Sequence, residues 1–273
     1  MNEEPRPRLR DLVAAEWIRA RSLRSTYWVL LLAALAAVVM NLNAVRSDLV
    51  YLDHPSPHLP SGYRYDPLWH GLSTPAGDLV TLAAAVFGAI TVFGEYATGL
   101  ARTTFAAVPD RRAVLTAKAL LVAGVTLVLG AAVSCASFFG TNALLASRHA
   151  GLSIGDDGCL RAVAGYALVV PVCALVGMAF GALLRHSTAT VSALVGLLFL
   201  LPMLFGGDRY ELLKRIGNCL PLKAAQRLAL NPHNTVATMG RYEPTVTTAW
   251  LVLAGWALCS LLVAVETVRR RDV

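Results

Sequence analysis

The feature that most constrains this chain is a set of six charge-poor apolar runs, Tyr27–Val45, Gly77–Gly94, Ala119–Leu145, Ala162–Leu184, Ser187–Gly206 and Thr245–Val265. A hydrocarbon layer about 30 Å thick takes about 20 helical residues to cross. It offers no water to the backbone, so each run must satisfy its own amides as a helix. Composition agrees: 15% of the residues are charged and 56% hydrophobic, against about 25% charged in an ordinary soluble domain. These values exclude most soluble enzymes and a disordered chain. The expected fold class is an all-α membrane protein of six transmembrane helices, with an interfacial amphipathic helix before the first span and a cytoplasmic element between the second and third.

Charge sets the expected direction. Arg6, Arg8, Arg10, Arg19, Arg21 and Arg24 precede the first run, Arg102, Arg111, Arg112 and Lys118 surround the second connection, Arg185 lies in the fourth, and Arg269–Arg271 close the chain. The positive-inside rule then puts both termini in the cytoplasm, in the inner cell membrane. Three parts follow: 1–26, a cytoplasmic and interfacial segment; 27–268, a six-span domain; and 269–273, a basic tail. Lys118 is expected to snorkel its ammonium to the surface. The loop Gly207–Pro244 opposes the rule with six basic residues, and it is expected to form short helices on or dipping into the outer interface.

Before the first run, Leu9, Leu12, Val13, Trp17, Ala20 and Leu23 share one helical face, with Arg10, Asp11, Arg19 and Arg21 off that stripe. Glu16 interrupts the apolar arc. Two readings stay open for it: a contact with protein that supplies an Arg or backbone donors, or a helix-surface pair with Arg19 at i, i+3. After the second run, the stretch from Gly94 through Glu95, Gly99, Arg102 and Pro109 to Arg112 is longer than the two to eight residues that commonly join helices. Gly99 permits a turn and Pro109 stops a helix. A docking surface for a soluble partner and an interfacial linker are both open for it.

Four stretches together resemble the membrane permease subunits of type-2 ATP-binding-cassette exporters, especially the short actinobacterial kind. They are Ala15-Glu16-Trp17-Ile18-Arg19-Ala20-Arg21-Ser22-Leu23-Arg24-Ser25-Thr26, the segment Gly94 to Lys118, Leu220-Pro221-Leu222-Lys223-Ala224-Ala225-Gln226, and the terminal Arg269-Arg270-Arg271-Asp272. The resemblance implies a connecting helix carrying Glu16, Trp17, Arg19 and Arg21. It also implies a coupling helix involving Gly94, Glu95, Gly99, Arg102 and Pro109, with Glu95 and Arg102 as charged contacts to a cytoplasmic ATPase. It implies a dimeric permease, homodimer or heterodimer, with ATP and Mg on the partner subunit and no cofactor on this chain. Where the family often has Leu-Pro-Ser-Asn-Ala-Gly-Gln in its last outer loop, this chain has Leu-Pro-Leu-Lys-Ala-Ala-Gln, so a role for a polar Ser-Asn pair is not carried over.

The chain has no G-x-x-x-x-G-K-[ST], H-E-x-x-H, paired C-x-x-C or G-x-S-x-G, so it lacks the parts of an ATPase, a metalloprotease or a serine hydrolase. It is expected not to be an enzyme by itself. The runs show no carboxylate and arginine series of the kind that ion-driven carriers use. A secondary transporter and a membrane sensor or scaffold are the alternatives to an exporter of an amphipathic or hydrophobic substrate. Cys159 and Cys219 fall in outer loops, where a disulfide would tie two connections together. Gly177 and Gly181 form a close-packing face on the fourth run, open to a helix of this chain or to a second copy.

Overall fold

A computed structural model describes residues 8–22, 24–53, 66–72, 74–100, 110–146, 151–205, 210–230 and 242–270. These residues are helical, with turns and short connections and no strand among them. Ten elements follow in order: α1 Leu9–Ser22, α2 Arg24–Asp53, α3 Pro67–Gly71, α4 Thr74–Ala97, α5 Arg111–Ala146, α6 Cys159–Leu184, α7 from Ser187 to Leu204, α8 Glu211–Asn218, α9 Pro221–Ala229 and α10 Val246–Arg270. Six helices are long and apolar enough to cross a membrane. They coincide with the six apolar runs to within their ends, and most are longer.

The local signals for these elements are legible. Asp66 caps α3, its Oδ1 accepting from the amides of Leu68 at 3.1 Å and Trp69 at 3.3 Å, and Pro67 takes the first helical position, where no amide is needed. Asp110 does the same for α5, accepting from Arg112 and Ala113, both at 3.1 Å. Gly99 ends α4 with φ of 73°, a left-handed conformation that glycine adopts without a Cβ clash. The turn expected there is present. Within α7 the residues Gly196–Leu200 form a π turn directly before Leu201 and Pro202, a local widening of the helix next to a residue that has no amide to donate.

The packing centre is α6, which lies against α4, α5, α9 and α10. Hydrophobic burial gives little drive between helices in lipid, so close backbone approach has to hold them together. It does so reciprocally between α4 and α6. A Cβ on Gly88 would lie 1.9 Å from the carbonyl oxygen of Ala174, and one on Gly177 would lie 1.8 Å from that of Ala85. Gly181 approaches Ala89 in the same way. The glycine face of the fourth run is therefore used inside the chain, which corrects the alternative that it packs against a second copy.

Several polar groups inside the bundle are satisfied at short range, whereas the Thr190 hydroxyl is buried without a hydrogen-bond partner among the described residues. Asn41 on α2 donates to Ser137 on α5 at 2.9 Å, and Ser134 donates to the Val163 carbonyl at 2.8 Å. Thr126 and Thr141 bond back to their own helix, as hydroxyls in apolar helices commonly do. The space among Asn41, Thr81, Ser134 and Tyr166 is only about 20 Å³, room for one water.

Candidate functional site

The two ends of the bundle are built from different chemistry. At one end α1, the last turn of α4 and the first turns of α5 meet around four charges. Arg19 Nη1 donates to Glu16 Oε1 at 3.1 Å and to Glu95 Oε1 at 2.5 Å. Lys118 Nζ donates to Glu16 Oε2 at 2.7 Å and to Glu95 Oε1 at 2.5 Å. The four side chains close a neutral ring of two cations and two carboxylates.

Burial makes this ring consequential. The Lys118 side chain is 3% exposed and that of Glu16 is 8% exposed, so neither charge is left to water. Desolvating such ions costs several kcal/mol each. The ring offsets that cost by giving each carboxylate two charged donors, with the short distances of charge-assisted hydrogen bonds. Lys118 thus differs from the expectation that it snorkels outward: two carboxylates meet it inside the bundle. Both readings of Glu16 are realised together, since it faces protein and also pairs with Arg19.

The orientation of α1 follows from the ring. Leu12, Glu16 and Ala20 form its buried stripe, and Leu12 packs with Val114 and Ala117 of α5. Leu9 and Trp17 are each 45% exposed and Ile18 is 71% exposed. The buried face is therefore rotated away from the apolar arc predicted from periodicity, because the carboxylate at its edge has partners. Arg21 is exposed. Leu9, Trp17 and Ile18 face outward beside it, while Val13 packs with Leu12 against α5.

Glu95, expected as a charged contact to a partner, is only 12% exposed and is engaged within the chain. Gly94, one residue before it, has nothing but its own helix near its Cβ position. It borders a cavity of about 200 Å³, walled by Ala20, Ile90, Thr91, Leu100 and Leu121 with the charged ring as its polar side. Arg102 and Pro109 lie outside the described residues, as does Arg271 of the basic tail.

Tyr96, next along α4, carries a second attachment. The Arg185 guanidinium carbon sits 4.2 Å from the centre of its ring, and Arg185 Nη2 donates to its hydroxyl at 3.4 Å. Arg111, at the start of α5, donates to the Val268 carbonyl of α10 at 3.4 Å. Composition and periodicity gave no sign of the Tyr96 contact, because it joins residues distant in sequence whose types are ordinary at helix ends.

At the opposite end two arginines and an indole meet backbone carbonyls, beside the single ion pairs of Lys214 with Glu243 at 3.0 Å and Arg215 with Glu211 at 2.5 Å. Arg161 on α6 donates through Nε to the Leu228 carbonyl at 3.0 Å and through Nη2 to that of Leu230, placing a cation on the carbonyl end of α9. Trp256 Nε1 donates to the Cys219 carbonyl at 2.7 Å, and Arg227 Nε to that of Pro244 at 2.6 Å. The short helices expected between 207 and 244 are α8 and α9. Leu222, Ala225 and Leu228 of α9 join the main apolar core, so α9 enters the bundle rather than lying on its surface.

Two expectations at this end change. Cys159 and Cys219 are both free thiols, the first fully buried beside Leu68 and Ala162 and the second exposed. The disulfide is corrected on that ground. Asp78 falls inside α4, half-buried, beside Thr81, Tyr166 and Gln226 and in electrostatic contact with Lys223 of α9. A carboxylate therefore lies within a helix long and apolar enough to cross a membrane, one residue inside the run that begins at Gly77. Among the described residues no group of His, Cys, Asp and Glu is arranged to hold a metal ion.

No protein-family model matches the chain, and no curated protein matches it either. What the fold and the site define is a class: an all-helical membrane protein with six candidate spans, tied at one end by a buried ring of charges.

Proposed function

We propose that this chain is the permease subunit of an ATP-driven exporter, forming part of the path for an amphipathic or hydrophobic substrate and coupling to a separate ATP-binding subunit. The observation that carries the reading is the charged ring. It joins α1, α4 and α5 at the point where α4 leaves the bundle toward residues 101–109. A partner that pulled on that segment would pull Glu95, and through it Arg19 on α1 and Lys118 on α5. An internal ring of salt bridges can exchange partners during such a movement, and the 200 Å³ cavity beside it leaves room for side chains to do so.

In this reading α1 is the connecting helix on the cytoplasmic membrane surface, with Trp17 and Arg21 toward lipid headgroups. Both termini are cytoplasmic, and segment 98–109 is the docking element. Contact with the ATPase is assigned to that segment, Arg102 included, while Glu95 relays its movement inward. ATP and Mg bind on the partner. The narrow interior at Asn41 and Tyr166 fits a path formed between two copies better than one through a single bundle.

The test is affinity purification of the tagged chain in mild detergent, with residues 101–108 replaced by a Gly-Ser linker of equal length. This replacement spares Glu95, whose loss would disturb the bundle itself. The expected result is a stoichiometric P-loop ATPase with the native chain and none with the replaced one. An inserted, folded native chain that recruits no ATPase would overturn the reading.

One observation favours a second reading. Asp78 inside α4, beside Thr81 and Tyr166 and in the field of Lys223, is the kind of intramembrane carboxylate that ion-coupled carriers use. A carrier would move substrate in proteoliposomes under an imposed proton or sodium gradient without any ATPase, and D78N would abolish that flux.

A further inference from the structure

We propose that Arg185 is a positioning residue that fastens the corner between α6 and α7 to the last turn of α4, so that α4 and α6 move as one body. The inference rests on the exporter reading for the direction of the motion, and on geometry alone for the fastening.

An arginine at a helix end on a membrane-crossing segment ordinarily reaches its head toward water or phosphate. Arg185 does the opposite. Its backbone takes the left-handed conformation, φ 50°, with its amide closing on the Gly181 carbonyl at 3.1 Å. Its guanidinium lies over the Tyr96 ring, and its Nε is buried with no hydrogen-bond partner among the described residues. A planar cation stacked on an aromatic face gains from the ring's quadrupole what it loses in hydration. An ammonium has no planar fork with which to lie over the ring and reach its hydroxyl at once.

Adjacent residues thereby send α4 in two directions. Glu95 attaches it to α1 and α5 through ions that can trade partners, and Tyr96 attaches it to the α6–α7 corner through a stacked contact. Deeper along the same pair, Gly88 against Ala174 and Gly177 against Ala85 leave no space for α4 and α6 to slide past one another. Gly181, which accepts the Arg185 amide, is itself packed on Ala89. The corner is therefore the end of a continuous seam. Movement entering at Thr98 passes into α6 and the start of α7 without slip, whereas α1 and α5 yield by exchanging partners in the ring.

The experiment uses the full chain, with its ATPase, in lipid nanodiscs, with exposed Cys135, Cys219 and Cys259 changed to alanine. Spin labels are placed at Thr98 and Ser187 for the seam, and at Thr98 and Leu9 for the ring. Between the nucleotide-free and the ATP-vanadate-trapped states the Thr98–Ser187 distance is expected to stay a single unchanged peak while the Thr98–Leu9 distance shifts. Y96F, which keeps the ring face, preserves that single peak. Y96A and R185Q lose it, and R185K, which keeps charge without the plane, does not restore it. An unaltered Thr98–Ser187 peak in both Y96A and R185Q would overturn the inference, as would a wild-type seam that shifts as much as the ring. If no ATPase copurifies, the exporter reading fails, and the nucleotide-free comparison of wild type, Y96F, Y96A and R185Q still decides the fastening. Y96F and R185K serve as the folded controls should Y96A fail to insert.

Discussion

The two ends of the bundle hold their helices with different bonds. At one end cations meet carboxylates, as in the ring of Glu16, Arg19, Glu95 and Lys118. At the other, Arg161, Arg227 and Trp256 donate to backbone carbonyls of the segments they pin. A carbonyl at a helix end has a fixed place and a fixed direction, so such a contact positions one segment in one way. A carboxylate shared by two cations has more than one acceptable arrangement. The first chemistry suits a part that stays seated, the second a part whose neighbours shift. Ion pairs occur at the carbonyl-bonded end as well, His70 with Asp48 at 2.8 Å, Lys214 with Glu243 at 3.0 Å and Arg215 with Glu211 at 2.5 Å, but each is a single pair and none closes a shared ring.

The contrast can be broken most severely at Lys118. K118M would leave Glu16 and Glu95 buried and facing each other, an uncompensated charge worth about 3–5 kcal/mol. The expected result is a steep fall in detergent melting temperature and loss of any ATPase copurification. The triple variant K118M/E16Q/E95Q should recover most of the stability without the coupling. Next in size, G177V forces a side chain onto the Ala85 backbone, and overpacking of this kind costs about 1–3 kcal/mol. It should lower the melting temperature of the isolated chain and separate α4 from α6 in cross-linking.

At the other end, R161M strips the donors from the carbonyls of Leu228 and Leu230, in and just after α9, at about 1–3 kcal/mol for buried groups left unpaired. Faster amide exchange is expected across Pro221–Ala229, with residues of the charged ring unaffected. Equal loosening at both ends would mean that the two chemistries are not separate. The smallest effect is expected from E266Q. Its pairs with Arg269 and Arg270 on α10 are exposed, and exposed pairs contribute little, so the melting temperature should not move. Mass spectrometry without reductant should find Cys159 and Cys219 as two thiols.

Much of the fold was legible because bilayer thickness imposes a length that no other apolar pattern has to meet. The six runs, Gly99, and the short helices near Pro221 all carry local signals. The charged ring was half legible. Glu16 stood out as a carboxylate on an apolar stripe with Arg19 as an i, i+3 partner, and Glu95 as a charge at a span's end, yet Lys118 was read as a topology signal because lysine at a span end usually is. Nothing local says that a lysine turns inward. That choice depends on two carboxylates from α1 and α4 arriving at the same place. Asp78 was missed for a related reason: a charge near the start of an apolar run reads as its boundary, whereas α4 begins at Thr74 and carries Asp78 past its first turn. The Tyr96 and Arg185 contact had no signal in sequence at all.

The reciprocal glycine seam has a consequence for the order in which the chain is made. Its two halves, Gly88 on α4 and Gly177 on α6, are separated in synthesis by the whole of α5. When α5 has been inserted, α1, α4 and α5 are all present and the ring of charges can close, but the surface of α4 that will receive α6 is still bare. The ionic end is thus available to hold the half-built chain together before the seam exists, and the last glycine to arrive locks an arrangement that the charges have already put in register.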